Sequence, residues 1–213
     1  MEYLSLLAEA HIDLDCGDDN GALRLLGHAF SLGRAQNIRT LLYWPRPAKM
    51  TRLCIKALEA GIEVKYVQSL VQEMRLVPDK APLALENWPW QLKIYTLGSF
   101  NLVMDGKSAA FSGKAQQKPM AMLKALIALG GRDVSEERLS DLLWPDADGA
   151  AARTAFDTTL HRLRRLLVYD RAVVMSNGRI TLNPLLCWVD AWAFDEICGE
   201  VEPLQKRKAA DKD

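Results

Sequence analysis

The sequence predicts an α+β fold in two parts: an α-helical first half, then a small antiparallel sheet, three helices and a terminal β-hairpin. Three observations predict it. Apolar residues recur with a period near 3.6 from Glu2 to about Leu76, and the period falls to two beyond about residue 91. Two hairpin turn signals, Asp105-Gly106 and Asn177-Gly178, lie in the second half. A chain of 213 residues has room for two domains, each with its own core.

In the first half, residues 1–76, Leu4, Leu7, Ala8 and His11 line one helical face and Ala22, Leu25, Leu26 and Ala29 another. "GDDNG" at 17–21 breaks the chain between them, so two antiparallel helices follow. A connection marked by proline, "YWPRP" at 43–47, leads to a third helix from Ala48 to Ala60, closed by Gly61. Val64 to Met74 supplies a fourth. Two helical hairpins of roughly 35 residues each suggest a tetratricopeptide-like pair. Two units are few for such an array, so this half either leans on its neighbour or ends a longer one.

Residues 77–91 lie in "LVPDKAPLALENWPWQ", which holds three prolines and loses periodicity, and are expected to form a linker or a strap. Trp88 and Trp90 flank Pro89, and at least one is expected to pack on a domain.

The second domain is expected over 92–198. Leu92 and Ile94, then Phe100, Leu102 and Met104, alternate as in strands, and Asp105-Gly106 turns the chain into a short strand ending at Phe111. A helix from Lys118 to Leu129 places Met122, Leu123, Leu126 and Ile127 inward and stops at Gly130-Gly131. Ser135 caps the next helix, with Glu136 and Glu137 at its positive end, and Pro145 in "LLWPD" forbids continuation. A long helix spans 151–167, and "VVMSNGRITL", Val173 to Leu182, folds back on Asn177-Gly178. Residues 199–213 read as a charged, flexible tail.

Composition narrows the function classes. The chain is 49% hydrophobic with 27 basic and 27 acidic side chains, so any basic surface is local. Apolar runs such as "MAMLKALIAL" are too short to cross a membrane, and the acidic, amphipathic N-terminus lacks the basic and then apolar order of a signal peptide, so the chain is expected to stay in the cytoplasm. Cys16, Cys54, Cys187 and Cys198 lack metal-ligand spacing and are expected to be reduced and mostly packed. His11, His28 and His161 are equally dispersed. Phosphate-loop, dinucleotide, nucleophile-elbow and zinc-protease motifs are absent from the sequence. The expectation is therefore a binding protein rather than an enzyme, with no cofactor and no metal.

The helix at 151–167, "AARTAFDTTLHRLRRLL", carries the most specific pattern. With Leu160 at zero on a helical wheel, Phe156, Leu163 and Leu167 fall within about 60° and form a buried stripe. Thr154, Thr158, His161, Arg162 and Arg165 occupy the opposite half, and Arg153 and Arg164 border the stripe. Four arginines against Asp157 make the helix locally basic, which suits either a solvated face or a polyanion. A capped helix, a loop, a longer basic helix and a hairpin together describe a winged helix-turn-helix, whose last helix enters the DNA major groove. The planar fork of Arg bonds guanine edges or phosphates, and Thr bonds phosphate or touches a thymine methyl.

"LKIYTLGSFNLVMDGK", "FSGKAQQKPMAMLKALIALGGRDVSEERLSDLLWPDA", "ARTAFDTTLHRLRRLL" and "WVDAWAFDEI" occur in order across about Trp90 to Ile197. In this they resemble the OmpR/PhoB-type winged helix as found in SARP-like bacterial transcriptional activators. The resemblance implies a double-stranded DNA partner, with Arg162 and Thr158 facing bases and Arg153, Thr159, Arg164 and Arg165 as phosphate contacts. Thr154 and His161 complete that face, His161 standing where many relatives have Ser or Arg, and Arg179 is the base of the wing. It also makes the loop "PDADGAAA", with Asp146 and Asp148, a candidate for contact with RNA polymerase, the alternative being a merely flexible turn, and makes a homodimer on tandem DNA sites a hypothesis. "LCIKALEAGIEVKYVQSLVQEMRLVP" resembles the end of the helical-repeat region of large MalT-like, ATP-dependent regulators, so the chain is expected to be the C-terminal part of a longer regulator or a solitary descendant. The function expected is a DNA-binding transcriptional regulator, an activator by resemblance. The alternative is a protein-interaction module whose degenerate winged helix does not bind DNA, a reading the zero net charge keeps open.

Overall fold

The computed structural model describes residues 2–39, 46–111 and 113–199. The chain is α+β and divides into two compact units, Met1–Trp90 with Ala191–Asp213, and Gln91–Asp190. Among the described residues no helix is long and apolar enough to cross a membrane.

The N-terminal unit holds α1 (Glu2–Cys16), α2 (Asp19–Ala35), α3 (Pro47–Glu59) and α4 (Val64–Glu73), close to the four helices expected. Gly17, at φ 81°, turns the chain out of α1, and Asp18 Oδ1 caps α2 by accepting from Gly21 N–H at 2.8 Å. α1 packs on α2 through Leu7, Ala10, Leu14, Ala22, Leu26 and Ala29, all buried. Gly33 on α2 leaves room for two tyrosines: a Cβ there would overlap the Tyr66 hydroxyl and the Tyr3 ring. Those hydroxyls lie 3.3 Å apart, and Tyr66 donates to Ile38 O at 2.7 Å. Pro47 opens α3 at its first turn, where a missing N–H costs nothing. The rest of the "YWPRP" connection falls mostly on 40–45, outside the described residues, as does the expected tail from 200 onward.

The segment expected to link two domains is instead part of this unit. Leu76, Ala81, Leu83, Trp88 and Trp90 are buried. Asn87 ties the segment down through side chain and backbone, Nδ2 donating to Leu58 O at 2.9 Å and its backbone carbonyl accepting from Gln68 Nε2 at 2.6 Å. Trp90 Nε1 donates to Leu85 O, which satisfies the indole where it is buried. A further helix over 190–199 groups with this unit from Ala191 onward, so the expected domain end at 198 is also displaced. Its Trp192 and Ala193 are buried, and Glu196 accepts from Lys80 at 2.7 Å.

The second unit opens with β1 (Leu92–Tyr95), β2 (Asn101–Met104) and β3 (Lys107–Ser108), then α5 (Lys114–Ala128), β4 (Val134–Ser135), α6 (Glu136–Leu143) and α7 (Gly149–Leu167). A 3-10 turn, Asp170–Ala172, leads to β5 (Val173–Ser176), β6 (Arg179–Leu182) and β7 (Cys187–Val189). Both predicted tight turns form with two left-handed residues each, φ 46° and 76° at Asp105-Gly106 and 51° and 70° at Asn177-Gly178. β3 stops at Ser108, so Phe111 lies outside any strand. The strands make two sheets, one of order β3-β2-β1-β7 and one of order β4-β6-β5. β7 runs parallel to β1, with Leu92 opposite Cys187 and Ile94 opposite Val189.

α5 starts one turn before the expected Lys118, so Pro119 sits inside it rather than at its first turn. Met122, Leu123, Leu126 and Ile127 are buried as their spacing requires. Ser135 caps α6, accepting from Arg138 N–H at 3.2 Å. Of the four thiols, Cys54 and Cys187 are buried, each pushed up to about 12 by that burial, while Cys16 and Cys198 are exposed, so packing holds for half of them.

Candidate nucleic-acid interface

α7 begins at Gly149 rather than Ala151 because Asp148 Oδ1 accepts from Ala151 N–H at 2.8 Å and fixes the first turn. Its apolar stripe, Phe156, Leu160, Leu163 and Leu167, is buried where the helix packs on α5 and α6. Arg153, Thr154, Thr158, His161, Arg162 and Arg165 are exposed along the helix. Thr154 Oγ1 donates back to Ala150 O at 3.0 Å, which leaves its oxygen free to accept.

Thr159 departs from the expectation. It is 6% exposed and lies with the core residues, so it drops out as a phosphate contact. Two other arginines are partly committed. Arg164 is half-buried and its Nε donates to Val173 O at 3.0 Å, which ties α7 to the first strand of the hairpin. Arg179 donates from Nη1 to Asp133 O at 3.0 Å and lies 3.4 Å from the Asp133 carboxylate, so its charge at the foot of the hairpin is partly neutralised.

Past the end of α7, the Tyr169 hydroxyl donates to the Asp105 carboxylate, 2.6 and 2.7 Å from its oxygens. Partial burial, then this hydrogen bond and the charge of Asp105, push the Tyr169 hydroxyl up to about 12, so it stays a neutral donor. The contact joins the β2–β3 turn to the segment between α7 and β5.

A shallow groove of about 730 Å³ runs beside α7, lined by Thr154, Thr158, Arg162, Lys118, Trp144 and Asp148 among others. Lys118 was not singled out from the sequence, where it marked only the expected start of a helix. Its Nζ donates to Leu143 O at 3.0 Å and lies 5.5 Å from the centre of the Trp144 ring. That position, set by the packing of α5 against α6 and α7, adds a cation to the same face as Arg162. Residues 91–190 carry 13 basic and 10 acidic side chains, a modest excess that the overall balance of the chain conceals. The arrangement offers fork-shaped and hydroxyl donors to an extended polyanion. Among the described residues no group of His, Cys, Asp and Glu side chains is placed to hold a metal. No family model, curated protein or solved structure matches the chain.

Proposed function

We propose that the chain is a DNA-binding transcriptional regulator in which α6 and α7 form a helix-turn-helix, α7 reads the major groove and the β5–β6 hairpin is the wing. One observation carries this reading: Arg153, Thr154, Thr158, His161, Arg162 and Arg165 stand exposed on a helix whose remaining sides are held by a closed core. In this reading Arg162 and Thr158 meet base edges, and Arg153 and Arg165 meet phosphates that set the register. Lys118 takes the phosphate role that buried Thr159 does not fill. Arg164 orients the hairpin, and Arg179 reaches phosphate only by sharing its charge with Asp133. In the turn before α7, exposed Asp146 is assigned to a polymerase contact, because Asp148 holds the helix cap.

The test is a fluorescence-anisotropy titration of a randomised duplex pool at low and at physiological salt, comparing the native chain with an Arg162→Ala, Arg165→Ala double variant. Binding should weaken steeply with salt. The double variant should lose about 100-fold in affinity, and its log–log salt slope should fall by about one, since of the two arginines only Arg165 is assigned to a phosphate and each phosphate neutralised contributes about 0.9. A native chain that ignores duplex DNA at low salt, or a double variant that binds equally well, overturns the proposal.

A further inference from the structure

We propose that α7 selects an asymmetric element in duplex DNA, a run of A·T pairs under its N-terminal half followed by a G·C pair under Arg162. The inference rests on the DNA-binding reading and adds to it which base edges the helix accepts.

Ala151, Thr154, Ala155, Thr158 and Arg162 fall within an arc of about 100° on the helical wheel, and all five line the groove beside α7. Ala155 is half-buried and the other four are exposed, so the arc is open to a partner. Its two ends differ in chemistry. From Ala151 to Thr158 the arc carries four methyl groups and no charge, since Arg153 and Asp157 lie off it; at Arg162 it carries a planar fork of donors.

The hydroxyl proton of Thr154 is directed at Ala150 O, 3.0 Å away, so toward a partner Thr154 offers a methyl and an acceptor oxygen but no donor. The two alanines offer methyls alone. Thr158 makes no side-chain hydrogen bond among the described residues, which leaves its hydroxyl able to donate beside its own methyl. In the major groove thymine alone carries a methyl, next to its O4 acceptor, and its adenine partner offers an N6 donor. Thr158 matches O4 and the methyl together, Thr154 matches the N6 donor, and Ala151 and Ala155 pack on further methyls. A guanine under this half would lose water from N7 and O6 and meet at most the single donor of Thr158, which disfavours G·C there. Arg162 has the opposite preference, because its fork spans N7 and O6. Residues 151–158 cover about 10 Å of helix axis, about three base-pair steps, and Arg162 lies about 6 Å beyond Thr158.

The experiment selects a duplex from a randomised pool with the full chain and then replaces each thymine singly by deoxyuridine, which removes the 5-methyl and leaves the pairing intact. The selected element should hold about three A·T pairs beside a G·C pair. Uracil at those pairs should weaken binding by about threefold to fivefold each without changing the salt slope, and uracil outside them should have no effect. Thr158→Ser keeps the hydroxyl and loses the methyl, so at one of these pairs it should bind thymine and uracil alike. Arg162→Ala should lose the preference for guanine and keep the uracil effect. Salt-dependent binding that is indifferent to uracil at every position, a selected element with G·C pairs throughout, or a uracil effect that Thr158→Ser leaves whole at every pair overturns this inference while DNA binding stands. A chain that ignores duplex DNA at low salt overturns both.

Discussion

The two units of this chain use their charged side chains differently. In the N-terminal unit Arg34, Arg39, Arg52, Lys56 and Lys80 each hold a carboxylate, from Glu63, Glu73, Asp15, Asp19 and Glu196 in turn, and these pairs join one helix or segment to another. On α7, Arg153, Arg162 and Arg165 make no ion pair among the described residues, although Asp157 lies on the same helix. An exposed pair stabilises a fold by only about 0–1 kcal/mol, so leaving these arginines unpaired costs the second unit little. It keeps their donors available to a polyanion, from which each bound arginine would release condensed counterions. The zero net charge of the chain thus combines residues 91–190, with 13 basic and 10 acidic side chains, and a remainder with 14 basic and 17 acidic, so a small acidic excess in one part offsets the local cationic face in the other.

The sharpest way to test whether the units are built separately is to damage one. Gly33→Val forces a branched side chain into the Tyr3 and Tyr66 rings and should destabilise the N-terminal unit by about 3 kcal/mol. Hydrogen exchange should then rise across α1 to α4 while amides of 91–190 keep their protection. Simultaneous loss in both breaks the comparison. The converse probe is Asp190, whose two carboxylate oxygens accept from Thr96 N–H at 2.8 and 2.7 Å, from Thr96 Oγ1 at 2.7 Å and from Leu97 N–H at 2.8 Å. Asp190→Ala should cost about 2 kcal/mol in the second unit, read as a lower urea midpoint and faster exchange at Ile94, Thr96 and Leu97. Unchanged exchange at those amides counts against Asp190 as the clasp of β1.

What was legible in the sequence follows from range. The helices of the N-terminal unit, the two tight turns and the Ser135 cap depend on residues within a few positions of each other, and their period and turn chemistry are visible locally. β7 was missed because Cys187, Trp188 and Val189 form three residues whose only signal is a parallel partner 95 positions away, Leu92 to Cys187. The two-residue β4 is defined in the same way by Ile180 and Arg179. Residues 77–90 lack periodicity because they are held by individual contacts, such as those of Asn87 and Trp90, rather than by one repeating face. On α7 the apolar stripe was legible, but not its width: α5 and α6 both cover the helix, and Thr159, beside Phe156 on the wheel, falls inside that wider arc. Lys118 joined the candidate face only through packing.

Two smaller changes act on the ends of α7 and test how firmly the cationic face is presented. Asp148→Ala removes the N-cap and should cost about 1 kcal/mol, with the fraying of the first turn visible as faster exchange at Ala151 and Ala152. The cap also positions Arg153 and Thr154, so duplex affinity should fall slightly while Asp148→Asn, which keeps the acceptor, restores it. At the other end Val168 closes the helix in the left-handed region at φ 67°, where a β-branched residue is strained by about 1–2 kcal/mol and glycine is not. Val168 is also 70% exposed, so it gains little from burial in return. Glycine there adds freedom to the unfolded chain, which offsets part of the relief. Val168→Gly should therefore stabilise the second unit by about 0.5–1 kcal/mol in urea denaturation and leave duplex affinity within twofold, because Arg164 and Tyr169 on either side retain their contacts to Val173 O and Asp105. A loss of stability would mean that the valine side chain itself holds the helix end, and a loss of affinity alone would place Val168 on the face that meets DNA.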